Sequence, residues 1–252
     1  MRALEAEAPA GLGQQLNILM VELNLKHLLS GSCVNDTTRL RIMLSFPLLE
    51  AHVRSAFASF DGSHDFAHLE RVLANARALS ALESAPPALS ALVDAAALLH
   101  DMDDKKYGGD EAAQPRARAA LAACGADAAF TERALAVVRG VSYTSEVARL
   151  AAGAGAGAPA AAPTDPDVEL ATALVQDADR LDAMGATGIA RVFCFGGARG
   201  RPLAESVQHF HDKLLKLRDM FKTGAGRALA GERHDTMVQF LGTLGREWGA
   251  AV

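Results

Sequence analysis

Pro86-Pro87-Ala88-Leu89-Ser90-Ala91-Leu92-Val93-Asp94-Ala95-Ala96-Ala97-Leu98-Leu99-His100-Asp101 is the stretch whose reading decides the fold class. Two prolines suit a helix start, where a missing amide proton costs nothing. Leu89, Leu92, Val93, Ala96 and Leu99 then recur at three- and four-residue spacing, the stripe of a buried helix. The segment ends on His100-Asp101. An imidazole and a carboxylate closing so apolar a helix need partners if buried, and a shared cation supplies charge and coordination together.

The same helical spacing extends to both sides. Upstream, Leu69, Val72, Leu73, Ala76 and Leu79 form a second stripe. Before it, Pro47 opens a helix through Leu49, Val53 and Phe57 that stops at Asp61-Gly62-Ser63. Downstream, Gly108-Gly109 breaks the chain ahead of two shorter helices, about 112–123 and 127–139. Asp165-Pro166 is a cap-and-first-turn signal for the helix carrying Asp177 to Asp182. Gly-rich punctuation at 185–200 precedes two final helices, about 203–221 and 225–247. Period-two alternation is never sustained, so the expected fold is all-α, with no sheet.

Residues 1–45 read as an N-terminal extension, in which Leu16, Leu19, Met20 and Leu23 fit one amphipathic helix. Residues 46–248 form the expected domain. Within it, 151–167 (AAGAGAGAPAAAPTDPD) has little side chain to pack and reads as a flexible insertion. Half of the 252 residues are apolar, chiefly Ala and Leu, which lose least on entering a helix. A net charge of −5 argues against a protein that coats nucleic acid. Cys33, Cys124 and Cys194 are scattered and odd in number, as expected of free thiols in a reducing compartment. No apolar run approaches the roughly 18–20 residues of a bilayer span. Leu16 to Leu29 carries Glu22, Lys26 and His27, which spoils it as a signal-peptide core. The chain is therefore expected to be soluble, intracellular and cytoplasmic, and the Asn35-Asp36-Thr37 sequon to be unused.

The candidate ligands are His64, His68, His100, Asp101, Asp177, Asp179 and Asp182, all on or beside apolar helices. His64 and His68 are one turn apart and could share a face. Singly, each has a structural explanation, because a lone His on an apolar face is more often a satisfied core residue. Periodicity does not choose between the late carboxylates: Asp177 shares a face with Leu170, Leu174 and Leu181, and Asp179 shares one with Val175 and Asp182.

In order along the chain, His64-Asp65-Phe66-Ala67-His68-Leu69-Glu70-Arg71-Val72, Ala96-Ala97-Leu98-Leu99-His100-Asp101 and Val175-Gln176-Asp177-Ala178-Asp179-Arg180-Leu181-Asp182-Ala183-Met184-Gly185-Ala186 resemble three motifs of the HD-domain metal-dependent phosphohydrolases. Weaker echoes follow at Gly188 to Arg191, His209-Phe210, Lys213 to Leu215 and Arg233-His234. The resemblance implies a single helical bundle in which His68, His100, Asp101 and Asp179 hold one divalent metal. Two imidazoles and two carboxylates, with no thiolate, suit Mn²⁺ foremost, and Mg²⁺, Co²⁺, Ni²⁺ or Fe²⁺ otherwise. No histidine lies between Asp101 and Asp179, where dinuclear members carry extra ligands, so one metal rather than two is expected.

The implied activity is hydrolysis of a phosphoester or phosphoanhydride, foremost a nucleoside triphosphate giving a monophosphate and pyrophosphate. Monophosphatase and phosphodiesterase activities stand beside it. The catalytic assignment falls on Asp101, as ligand, and on Asp104, as general base or proton shuttle; a solvated acidic residue is the other reading of Asp104. Lys105, Lys106, Arg71, Arg180, Arg191 and Lys213 are candidates to meet the substrate phosphates. Lys216 and Arg218 read as a solvated face, and no base-stacking residue stands out. The rival readings are a non-catalytic nucleotide-binding protein and a di-iron oxygenase of the same superfamily.

Overall fold

The structure is a computed structural model that describes residues 45–58, 65–105, 108–142, 146 and 165–249. Among them every regular element is helical and no strand occurs. The helices are α1 (Phe46–Ala56), α2 (Phe66–Leu82), α3 (Ser90–Leu99), α4 (Pro115–Ala123), α5 (Ala128–Val141), α6 (Pro166–Asp182), α7 (Gly185–Ala198), α8 (Leu203–Asp212) and α9 (Gly224–Trp248). Short 3-10 turns at Pro87–Leu89 and Leu214–Met220 lead into α3 and follow α8. The N-terminal extension, His64, Lys106, Cys33, the sequon and residues 151–164 lie outside the described residues.

At the centre, α3 and α6 both pack against α2 and against α5. Ala95 to Leu99 are all buried, so the second half of α3 is apolar all round, as a segment enclosed by other helices must be. α9 lies along α6 and α7 and reaches α2. Caps fix several starts. The Asp65 carboxylate accepts from His68 N at α2, Asp127 accepts from Phe130 N at α5, and Asp165 accepts from Asp167 N beside Pro166 at α6. Asp165 to Asp167 thus open α6, which takes the last three residues away from the expected insertion.

The structure departs from the sequence reading between residues 185 and 221. Within 185–200 only the outer glycines punctuate, Gly185 (φ 66°) and Gly200 (φ 62°) at the two ends of a stretch that is mostly α7. Two inner glycines are packing positions: a Cβ on Gly188 would stand 2.2 Å from the Ala183 carbonyl oxygen, and one on Gly196 2.3 Å from Ser206 Oγ. The segment expected as one helix over 203–221 breaks at Lys213 (φ −135°, ψ −58°) into α8 and the 3-10 turn. The α3 helix ends at Leu99, with His100 as its C-cap. Residues 100–103 turn, and Asp103 is buried with its carboxylate on the amides of Arg116 (3.2 Å) and Ala117 (3.0 Å) at the start of α4.

Candidate metal centre

Four side chains from α2, from the turn after α3 and from α6 converge. His68, His100 and Asp179 each offer a ligand atom, and those atoms lie within 4.8 Å of one another. Asp101 stands between the two imidazoles: its Oδ2 is 3.4 Å from His68 Nε2 and its Oδ1 is 3.5 Å from His100 Nε2. Asp179 Oδ1 is 3.6 and 3.7 Å from the same two nitrogens. The rings meet edge to face, with centroids 5.3 Å apart.

The other ring nitrogens settle which atoms face this cluster. His68 Nδ1 is 2.8 Å from Asp182 Oδ2, and His100 Nδ1 is 2.9 Å from the Ala97 carbonyl oxygen. Both neighbours are acceptors, so each Nδ1 carries a proton and each Nε2 faces the cluster, presenting a lone pair whenever its ring is neutral. Two lone pairs facing two carboxylates repel unless positive charge sits among them. The protonation equilibria show the same demand. Burial opposes charge on His100, yet the charges of Asp101 and Asp179, with the Ala97 carbonyl, push its pKa up to about 9. Burial also works against the Asp179 carboxylate, and the neighbouring His100 and His68 nevertheless hold it well below the usual range. Imidazole Nε2 atoms and carboxylate oxygens, aimed together and short of positive charge, fit a divalent cation.

Asp182 organises the surroundings. It is 1% exposed, and it accepts from His68 Nδ1, from Arg71 Nε (2.7 Å) and Nη2 (3.1 Å), and from Arg191 Nη1 (3.0 Å). A carboxylate behind a ligating histidine fixes its tautomer and ring orientation. Asp177, two residues before Asp179, points elsewhere. It is fully buried and accepts from Lys222 N, Thr223 N and Thr223 Oγ1, joining α6 to the start of α9.

The cluster opens on a cavity of about 740 Å³. Asp104, Lys105, Arg191 and Lys213 of the sequence candidates line it. Arg71 and Arg180 do not. Arg71 is spent on Asp182, and Arg180 is buried against Glu146, Asp177 and the Met220 carbonyl, so neither extends to a phosphate in the cavity. Lys105 is exposed at the rim, 3.9 Å from Glu111. Lys216 and Arg218 are exposed, as a solvated face requires. Sequence reading did not single out Arg139, Arg201, His209, Gln114 or Phe195 as lining groups. Of these only His209 carried a signal, through its place in a motif echo. Arg199 and Arg201 place their guanidinium groups 5.2 and 5.3 Å from the Phe195 ring centre.

No family model matches the chain. Over 200 residues it is 33% identical to YpgQ of Bacillus subtilis strain 168, an uncharacterised protein, covering 77% of this chain and 89% of that one. Its structure is similar to that of an HD-superfamily hydrolase from Bacillus thuringiensis, with 30% identity and a TM-score of 0.58 over 80% of this chain and 95% of that one. The chain belongs to the HD superfamily. A crystal structure of Bacillus subtilis YpgQ in complex with ADP is also similar, at 29% identity and a TM-score of 0.59, covering 79% and 92% of the two chains. Membership in the HD superfamily agrees with the all-α architecture and with a divalent-metal hydrolase in general terms. Among the described residues no helix is long and apolar enough to cross a membrane.

Proposed function

We propose that this HD-superfamily member is a metal-dependent phosphohydrolase acting on a nucleotide, with a nucleoside triphosphate cleaved to a monophosphate and pyrophosphate as the leading reaction. One observation carries the reading. Two imidazole Nε2 atoms and the carboxylates of Asp101 and Asp179 converge at a cavity that Arg191, Arg201, His209, Lys213 and Arg139 also line. Acidic and imidazole groups at one place suit a cation, and basic groups around the same space suit phosphates. The ADP held by the similar YpgQ supports a nucleotide as the substrate class.

In this reading His68, His100, Asp101 and Asp179 hold one divalent ion, Mn²⁺ foremost. When bound, such an ion polarises the phosphoryl group and acidifies the attacking water. Asp104 lines the cavity three residues beyond Asp101 and takes the proton of the attacking water, a role worth about 10²–10⁴ in rate for a well-placed base. Arg191 is tied to Asp182 and Lys213 is on the cavity wall; both neutralise the substrate oxygens. Lys105, exposed at the rim, meets the outer phosphates.

The test is a product-resolved screen of nucleoside mono-, di- and triphosphates with Mn²⁺, Mg²⁺ and Co²⁺, with metal content measured on desalted protein. Monophosphate plus pyrophosphate, one metal per chain and a strong loss of turnover in Asp104→Asn at unchanged metal affinity are expected. Tight nucleotide binding with no turnover at full metal occupancy would instead make this a nucleotide-binding protein. Two tight metals per chain, or oxygen consumption with iron, would move it to the dinuclear branch.

A further inference from the structure

Gln114 stands at the N-cap of α4 with φ 50° and ψ 51°, the left-handed region that a residue with a Cβ rarely adopts. Capping does not explain it. Its side chain makes no cap bond, and Asp103 takes that task by accepting from the Arg116 and Ala117 amides. Nor is it a solvated loop residue, since Gln114 is only 1% exposed and lines the cavity. A strained backbone and a buried amide side chain at a cavity wall are a reason to look for a bound partner.

The partner's chemistry follows from one bond. Arg139 Nη1 donates to Gln114 Oε1 at 2.9 Å. A guanidinium has donors only, so this bond fixes the amide: the oxygen faces Arg139 and the NH₂ faces away. Among the described residues that NH₂ donates to no acceptor. Arg139 lines the same cavity and keeps its remaining N–H groups. The pair therefore presents N–H donors, the amide NH₂ of Gln114 and the guanidinium of Arg139, while one lone pair of Gln114 Oε1 is taken by Arg139. Around it on the cavity wall are Ala112 from the same loop and Val138 and Val141 from α5, apolar surface suited to a flat ring, with Glu111 and Ser142 beside them.

We propose that Gln114 and Arg139 form a donor-rich specificity subsite that receives an oxygen acceptor of the substrate. The inference rests on the nucleotide reading above. Such an oxygen is either a nucleobase carbonyl, which the apolar surface favours, or a phosphate oxygen away from the cleaved bond. A guanine carbonyl satisfies the pair, whereas the exocyclic amine of adenine would meet it donor to donor.

The experiment uses the full chain loaded with Mn²⁺ and three probes: GTP, ATP and inorganic tripolyphosphate. Gln114→Gly and Gln114→Glu are compared with the wild type in kinetics and melting temperature. Glycine accepts the left-handed backbone without strain, so Gln114→Gly should retain the wild-type melting temperature while its KM for GTP rises about tenfold, the loss of one hydrogen bond. Gln114→Glu retains the Arg139 contact and removes the NH₂, so it should raise KM for GTP with kcat nearly unchanged. A purely structural Gln114 would instead leave Gln114→Glu with native kinetics. A KM effect on GTP alone assigns the base carbonyl, and an equal effect on tripolyphosphate assigns a phosphate. An unchanged KM for all three probes, or a kcat that falls only in step with melting temperature, would overturn the subsite. A wild type inert towards all three would remove the nucleotide reading itself, which is a different and recognisable failure.

Discussion

Asp177 and Asp179 are two residues apart on α6 and meet opposite environments. Asp177 is fully buried and receives amide and hydroxyl donors from Lys222 and Thr223; burial still holds its pKa above the usual carboxylate range. Asp179 opens on the cavity and faces the Nε2 atoms of two imidazoles, whose hydrogen bonding and positive charge hold its carboxylate far below that range despite burial. The first carboxylate has its partners in the chain. The second stands 3.6 and 3.7 Å from the Nε2 atoms of His68 and His100, a grouping of ligand atoms that a cation would hold together. A helix thus uses two faces for two tasks: one docks α9, and the other leaves charge uncompensated where a cation fits.

Substituting each carboxylate separates the tasks. Asp179→Asn should give the largest effect of any change considered: loss of turnover and of metal-induced stabilisation, with helicity retained. For the wild type, metal at 100 times its dissociation constant should add about 2.7 kcal/mol, seen as a higher melting temperature. Asp177→Asn should do the reverse. It sets an amide NH₂ against backbone donors, costing about 1.5–3 kcal/mol of stability, and leaves turnover per folded molecule near native. Native turnover in Asp179→Asn beside an inactive, metal-free Asp177→Asn would invert the assignment.

Asp182 tests how far the metal side of α6 extends. It faces His68 as a carboxylate and also holds Arg71 and Arg191. Asp182→Asn can still accept a hydrogen bond but loses the charge that fixes the His68 tautomer. Metal affinity should weaken about 10–100-fold by calorimetry, with the His68 ring nitrogens exchanging tautomers in ¹⁵N spectra of the metal-free protein. Unchanged affinity and a single retained tautomer would reduce Asp182 to a fold contact.

What could be read from the sequence divides along similar lines. The α3 stripe, the prolines at α1 and α6 and the Asp165 cap are local signals, and the structure has helices at each. That His68, His100, Asp101 and Asp179, out of seven candidates, would come together was legible only through motif order, since periodicity alone left Asp177 and Asp179 equal. Where reading failed, the cause was distant in the chain. The glycines of α7 looked like breakers because the carbonyl and hydroxyl that crowd Gly188 and Gly196 cannot be inferred from composition. Arg71 and Arg180 looked like phosphate ligands until their partners, 111 and 34 residues away, came into contact. Nothing in the local sequence signals that Gln114 takes a left-handed backbone.

The smallest expected effect concerns the docking side of α6. Thr223 Oγ1 donates to Asp177 Oδ2 at 2.8 Å and accepts from Gly226 N at 2.9 Å, so one hydroxyl both caps α9 and ties it to α6. Thr223→Ala removes both bonds but leaves the Lys222 and Thr223 backbone amides on Asp177. The loss of a cap costs about 1 kcal/mol, and turnover should stay native because no cavity-lining group moves. The double-mutant cycle gives the sharper result. Thr223→Ala and Asp177→Asn share a hydrogen bond and should couple by about 0.5–1 kcal/mol in stability, whereas Thr223→Ala and Asp179→Asn share none and should add. Coupling between Thr223 and Asp179 as large as that with Asp177 would mean the two faces of α6 are not independent, and that the separation of docking from metal binding fails.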